Sequence, residues 1–152
     1  MKKLGLIGGS GLYEWPGLEN VEWRKIRTPF GEPSDDYLCG EWKGFPIVFL
    51  PRHGRGHRLL PSEIPHRANI FGFKTLGVEA VVSVSAVGSL REEMRPRDVV
   101  LPDQYFDRTK NSASHTFFGN GVAAHVGFGE PTCPVLRQRL ASVLRDLLRD
   151  DP

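Results

Sequence analysis

Three short apolar runs in this chain each break off into a tract of glycine, hydroxyl or basic residues, and this punctuation limits the possible fold more than any other feature. Leu4 to Ile7 runs into Gly8-Gly9-Ser10-Gly11, and Pro46 to Leu50 runs into Pro51-Arg52-His53-Gly54-Arg55-Gly56-His57. Ala80 to Ser85 ends in Ser85-Ala86-Val87-Gly88. Apolar runs of this length, bounded by turn formers, suit buried strands, and the last of them is β-branched enough for a central strand covered on both faces. Ligands of open α/β sheets collect at the carboxyl ends of strands. The expected class is α/β, a mixed sheet flanked by helices.

Each tract suits a small anion for its own reason. A Gly8-Gly9-Ser10-Gly11 turn lets backbone amides converge, because glycine has no side chain and tolerates positive φ, and Ser10 adds a hydroxyl donor. Arg52 presents a planar fork of donors to phosphate oxygens, and His53 beside it donates or, when protonated, adds charge. Ser85 and Ala86 supply hydroxyl and amide donors at a strand end, with Gly88 keeping the space open. Alone, each has a plainer explanation: a tight turn, a solvated basic loop, a βα connection, and for His57 a structural hydrogen bond. Together they form a phosphate site built from three segments. There is no Walker lysine and no clear nucleophile, so phosphate is expected as a reactant.

The other chemistries are excluded by pattern. GxGxxG is not matched, and neither is HExxH; His53, His57 and His66 show no compact ligand spacing, so no metal is expected. Glu92-Glu93 and Asp150-Asp151 suit solvated charges better than acid/base pairs. Lysine plus arginine number 20 against 18 aspartate plus glutamate, a net charge of +2 that makes no polyanion field, so nucleic acid is not an expected partner. Cys39 and Cys133 lie far apart without CxxC spacing, which favours reduced thiols. The basic start meets Gly8 before any long apolar run, so neither a signal peptide nor a membrane span is expected and the default location is the cytoplasm.

Between the tracts, Val21 to Ile26 partly alternates, and Tyr37 to Trp42 and Pro46 to Leu50 form a hairpin candidate about Lys43-Gly44, an antiparallel excursion beside the first strand. Ser62 to Leu76 carries Ile64, Ala68, Phe71 and Leu76 near helical spacing, with Gly77 as its stop. Asp98 to Pro102 predicts a further short strand, and Thr109 to Gly129 a long surface loop of the kind that often carries function. Pro134 to Arg149 is amphipathic, with Leu136, Leu140, Val143, Leu144 and Leu147 on one face that needs a partner. At 152 residues the chain is expected to be a single domain, 1–152, or part of one.

The ordered set Gly8-Gly9-Ser10-Gly11, Thr28-Pro29-Phe30-Gly31-Glu32-Pro33-Ser34, Arg52 to His57, Ala68-Asn69-Ile70, Ala86-Val87-Gly88-Ser89-Leu90 and Asp103-Gln104-Tyr105-Phe106-Asp107-Arg108-Thr109 resembles the methylthioadenosine branch of the trimeric purine nucleoside phosphorylase family. The resemblance covers nearly the whole chain. It implies attack of inorganic phosphate on the anomeric carbon of methylthioadenosine through a ribosyl cation-like transition state, giving adenine and methylthioribose phosphate in purine and methionine salvage. It implies phosphate as co-substrate, no cofactor and no metal, and a homotrimer when complete. By the same resemblance Ser10, Arg52, His53 and Ser85 bind phosphate, and Ala86 lines the phosphate and ribose side through its main chain. His125, in His125-Val126-Gly127-Phe128-Gly129-Glu130-Pro131, resembles the residue that a neighbouring subunit lends to the methylthioribose pocket. Val87 and His66 depart from the cysteine and tyrosine common in the family.

Family chains run well beyond 152 residues. Their later part carries a ribose-binding methionine segment, another phosphate-binding threonine and the aspartates that protonate the purine. The chain is therefore expected to be the amino-terminal part of such a domain, with no purine-protonating residue of its own and little or no phosphorolysis activity in isolation. Two other readings stand beside methylthioadenosine: methylthioinosine or a general purine nucleoside as substrate, and a non-catalytic fragment that binds phosphate or a partner chain.

Overall fold

The computed structural model describes residues 2–13, 15–109 and 115–149, apart from the side chain of Ser10. The trace divides into two compact units, Met1–Gly88 and Ser89–Pro152.

The first unit is a five-stranded mixed sheet in the order β2-β3-β4-β1-β5, with one helix. Its strands are β1 (Leu4–Gly8), β2 (Leu18–Arg24), β3 (Tyr37–Trp42), β4 (Phe45–Pro51) and β5 (Ala80–Val84), and its helix α1 is His66–Thr75. The expected hairpin is present: Trp42 pairs with Phe45, and Lys43 and Gly44 both take positive φ (51° and 75°), the pairing geometry that matches strand twist in a two-residue turn. β4 then lies parallel to β1, and β1 parallel to β5. Because Gly8 is in register with both Pro51 and Val84, the three strands end on one line.

The core follows from the composition of β4. Ile47, Val48, Phe49 and Leu50 are all at most 4% exposed, as a strand covered on both faces requires. Tyr37 and Phe73 pack edge to face at 5.1 Å within this core. Gly72 is a close-approach position: a Cβ there would run into the Tyr37 hydroxyl. Gly77 (φ 72°) ends α1, with Val78 N–H donating to Phe73 O and Gly77 N–H to Lys74 O, the paired bonds of a glycine-terminated helix.

The structure corrects four expectations. The helix of Ser62 to Leu76 is broken: a single 3₁₀ turn, Pro61–Glu63, precedes α1, because Pro65 pushes Ile64 out of helical space (φ −63°, ψ 120°). β2 begins earlier than expected, at Leu18, and ends at Arg24. β5 is not central. Among the described residues it has a neighbour only in β1, and Ser83 and Val84 are exposed. Asp98 to Pro102 forms no strand, because no described segment supplies it with a ladder partner.

The second unit contains the helix α2 (Pro134–Leu147), none of whose residues is buried. Val99 and Leu101 line an open hollow with Ala141, Leu144 and Leu148, which gives one part of its apolar face some company. The expected loop of Thr109 to Gly129 includes residues 110–114, which lie outside the described residues. A small bridge between Gly119 and Val122 organises its middle. The Gln104 amide donates to the carbonyls of Phe128 (3.1 Å) and Gly129 (3.3 Å), tying down the end that carries His125.

Candidate functional site

The shared register of β1, β4 and β5 brings the three tracts to one edge of the first unit. Arg52 follows β4 directly, and its backbone N–H donates to Gly8 O at 2.9 Å, which stitches the second tract to the first. Its guanidinium reaches across to the third: Nη1 donates to Ser85 Oγ in a short contact, and to Val84 O at 3.5 Å. Since Ser85 Oγ accepts from Arg52, its own hydrogen is left to point at a further acceptor. Arg52, His53 and Ser85 are thus assembled together, with Ala86 next in the chain after Ser85. No carboxylate pairs with Arg52 among the described residues, so its charge is available to a ligand anion.

His53 is 6% exposed, and its two ring nitrogens have different tasks. Nδ1 lies 2.9 Å from Leu59 O, an acceptor, and so carries the proton. Nε2 then accepts from Arg52 Nε at 3.3 Å. In this tautomer the ring orients the guanidinium. His57 (φ 52°) stacks on it at 4.3 Å with 14° between planes.

The first tract is built differently from the expectation. None of Gly8, Gly9 and Gly11 has positive φ; Ser10–Leu12 is a 3₁₀ turn closed by Leu12 N–H to Gly9 O at 3.1 Å. A Cβ at Gly9 or Gly11 would meet nothing within 4 Å, so at these positions glycine leaves room where a side chain would otherwise stand. The hydroxyl of Ser10 lies outside the described residues. His125 belongs to the second unit and is exposed.

Two groups of residues had no assigned role in the sequence. Ser34 and Asn69 are each 1% exposed and form a reciprocal pair: Ser34 N–H donates to Asn69 Oδ1 and Asn69 Nδ2 to Ser34 Oγ, both at 2.8 Å. Asn69 O also accepts from the Tyr37 hydroxyl at 2.8 Å. Burial pushes the Tyr37 phenol well above its ordinary value, so it stays a donor. A polar residue amid the apolar positions of α1 was the signal for this pair. The second group is Asp35 with Arg55. Arg55 donates to Asp35 from its backbone N–H (2.6 Å), Nε (3.1 Å) and Nη2 (2.7 Å), and stacks 4.1 Å over the Trp23 ring. Burial raises the Asp35 carboxyl, but the hydrogen bonds from Arg55 and the Asp36 backbone more than offset this and hold it below its ordinary value. Arg52 and Arg55, three positions apart in one basic tract, therefore have opposite surroundings.

No helix among the described residues is long and apolar enough to cross a membrane. Among them, no three histidine, cysteine or acidic side chains cluster as metal ligands.

The sequence profile described as the phosphorylase superfamily matches residues 3–150, and the chain belongs to that superfamily. Within it, the chain is similar to S-methyl-5'-thioadenosine phosphorylases. It is 58% identical over 145 residues to that of Thermosynechococcus vestitus, spanning 95% of this chain and 50% of the relative. It is 61% identical over 131 residues to that of Koribacter versatilis, spanning 86% and 44%. Among solved structures, a methylthioadenosine phosphorylase sourced from an Antarctic soil metagenomic library superposes with a TM-score of 0.87 at 51% identity, covering 94% of this chain and 50% of that one. The Schistosoma mansoni methylthioadenosine phosphorylase in complex with adenine gives 0.85 at 37% identity, covering 97% and 55%. The chain spans about half the length of the curated relatives it matches.

Proposed function

We propose that this chain serves the phosphorolysis of methylthioadenosine, in which inorganic phosphate displaces adenine from the anomeric carbon to give methylthioribose phosphate. The observation that carries this reading is the Arg52 guanidinium, free of carboxylate partners among the described residues and reaching Ser85 across the end of β1. Phosphate must be held as an anion and aimed at a carbon that becomes cationic, so the gain comes from positioning and fixed charge. Arg52 supplies the charge, Ser85 and Ser10 hydroxyl donors, and Ala86 main-chain contact; His53 fixes the guanidinium and borders the phosphate. No metal or organic cofactor enters the reaction. His125 serves the methylthioribose end of a neighbouring subunit's pocket in a homotrimer, and the whole stretch 1–152 belongs to one phosphorylase domain of a cytoplasmic salvage enzyme. The profile match across both units supports the last point.

The similarity to relatives named for methylthioadenosine favours that substrate over methylthioinosine or other purine nucleosides. The test has two readouts on the same preparation: binding of inorganic phosphate by calorimetry, and phosphate-dependent base release from a nucleoside panel. Arg52→Ala should weaken phosphate binding at least tenfold, since it removes a charge-assisted donor worth roughly 1.5–3 kcal/mol. Phosphate binding unmoved by Arg52→Ala, or adenine release that needs no phosphate, would refute the proposal.

A further inference from the structure

We infer that Asp35, acting through Arg55, is a positioning residue for the anion site: it clamps the loop of residues 52–57 so that Arg52 faces the ends of β1 and β5. The inference rests on the reading of Arg52 as the phosphate ligand.

The loop leans on its neighbours for its shape. Gly54, Gly56 and His57 all take positive φ (72°, 78° and 52°), and its local ties are the backbone bonds Gly54 N–H to Pro51 O, His57 N–H to Gly54 O and Leu59 N–H to His53 O, each at 3.0 Å, with His53 Nδ1 to Leu59 O at 2.9 Å. From outside, the Tyr13 hydroxyl donates to Gly54 O at 3.1 Å and Arg52 N–H donates to Gly8 O, and the connection between β2 and β3 grips the far end. Asp35 receives the backbone N–H and two side-chain nitrogens of Arg55, while its neighbour Ser34 accepts from Arg58 Nη2 at 2.8 Å. Asp36 adds a second carboxylate 3.3 Å from Arg55 Nη2. The clamp grips at positions 55 and 58, on the far side of the glycine turn from Arg52. The Asp35 side chain is only 5% exposed and Ser34 is locked by Asn69, so the gripping side is anchored in the core.

A carboxylate placed near an anion site simply as surface charge would repel phosphate, and its removal would tighten binding. A clamp predicts the reverse sign, because a displaced Arg52 loses its aim. Calorimetric titration with inorganic phosphate at fixed ionic strength, on the full chain, decides between them. Asp35→Asn should bind phosphate roughly tenfold more weakly than wild type, and so should Arg55→Lys, which keeps the charge but loses the fork. The double variant should be no weaker than the weaker single one, since both remove one coupling. Trp23 fluorescence, perturbed by the overlying guanidinium, should shift in both. If Asp35→Asn does not fold, Arg55→Lys at this exposed side chain decides alone. Phosphate affinity unchanged or tighter in either folded variant would overturn the clamp. Loss in Arg52→Ala with wild-type affinity in Asp35→Asn would overturn the clamp while sparing the anion site. No phosphate binding by wild type would overturn both.

Discussion

Replacing Asn69 by alanine should cost the first unit about 2–4 kcal/mol. The side chain exchanges two 2.8 Å hydrogen bonds with Ser34, and both residues are 1% exposed. Truncation strands the Ser34 amide and hydroxyl away from solvent, at about 1–3 kcal/mol each when nothing replaces the partner. A water entering the vacated volume would recover part of that, which sets the upper figure below the simple sum. The loss is a large share of a typical stability of about 5–15 kcal/mol. Trp15, Trp23 and Trp42 all lie in the first unit, so tryptophan fluorescence during urea unfolding follows that unit. At an unchanged slope of about 2 kcal/mol per M, the midpoint should fall by roughly 1–2 M. Asn69→Asp sharpens the test. It keeps the acceptor for Ser34 N–H but buries a charge facing the Ser34 hydroxyl, so its carboxyl pKa rises on folding. Its deficit should therefore shrink as pH falls, when the protonated acid can donate again. A loss under about 1 kcal/mol for Asn69→Ala at constant slope, with no pH trend for Asn69→Asp, would refute the idea that this pair anchors the β2–β3 connection.

Gly54→Ala should destabilise by about 1–3 kcal/mol in the same assay, since φ is 72° and the new Cβ would lie 2.6 Å from Arg58 Nε and 3.0 Å from Ser34 O; a neutral result would mean the loop relaxes freely. Asp35, whose carboxyl sits below its ordinary value, contributes stability that is complete above the unfolded value near pH 4 and is lost as pH falls through the folded one. Acid titration of Asp35→Asn should accordingly show a shallower loss of stability below about pH 4 than wild type, and parallel curves would count against the Arg55 pairing. Cys133 is exposed whereas the Cys39 thiol is half-buried and pushed up by that burial. A thiol reagent at pH 8 should modify Cys133 first, and equal rates, followed by peptide mapping, would contradict the placement of Cys39 in β3.

What the chain's local chemistry could reveal depended on how far apart the cooperating residues lie. The hairpin about Lys43-Gly44 and the stop at Gly77 were legible because turn and cap chemistry is contained in a few neighbouring residues. The same locality exposed the break at Pro65 in principle, yet the apolar spacing of Ile64, Ala68 and Phe71 concealed it, since periodicity ignores the φ restriction that proline places on its predecessor. β5 misled for the opposite reason. A continuous β-branched run reports what a strand is suited to have on its faces, and the described sheet supplies a neighbour on only one side. At the site, the convergence of the three tracts could be anticipated because each ends a strand, and parallel pairing with Gly8 in register with Pro51 and Val84 then puts those ends together.

The division of labour between Arg52 and Arg55 could not be anticipated, and the reason is physical. Both are arginines beside glycine or histidine in one short basic loop, and composition treats them alike. Their difference is created by a segment some 20 residues away, where Asp35 takes its hydrogen bonds from Arg55 while Arg52 bonds to His53, Val84 and Ser85. A guanidinium satisfied by a buried carboxylate is a strut, because separating the pair would strand the charge on Asp35. A guanidinium steadied only by neutral groups, a histidine nitrogen, a serine hydroxyl and a carbonyl, keeps its full attraction for an incoming anion. The pairing of Arg55 with Asp35 thus serves Arg52 by fixing the loop that carries it.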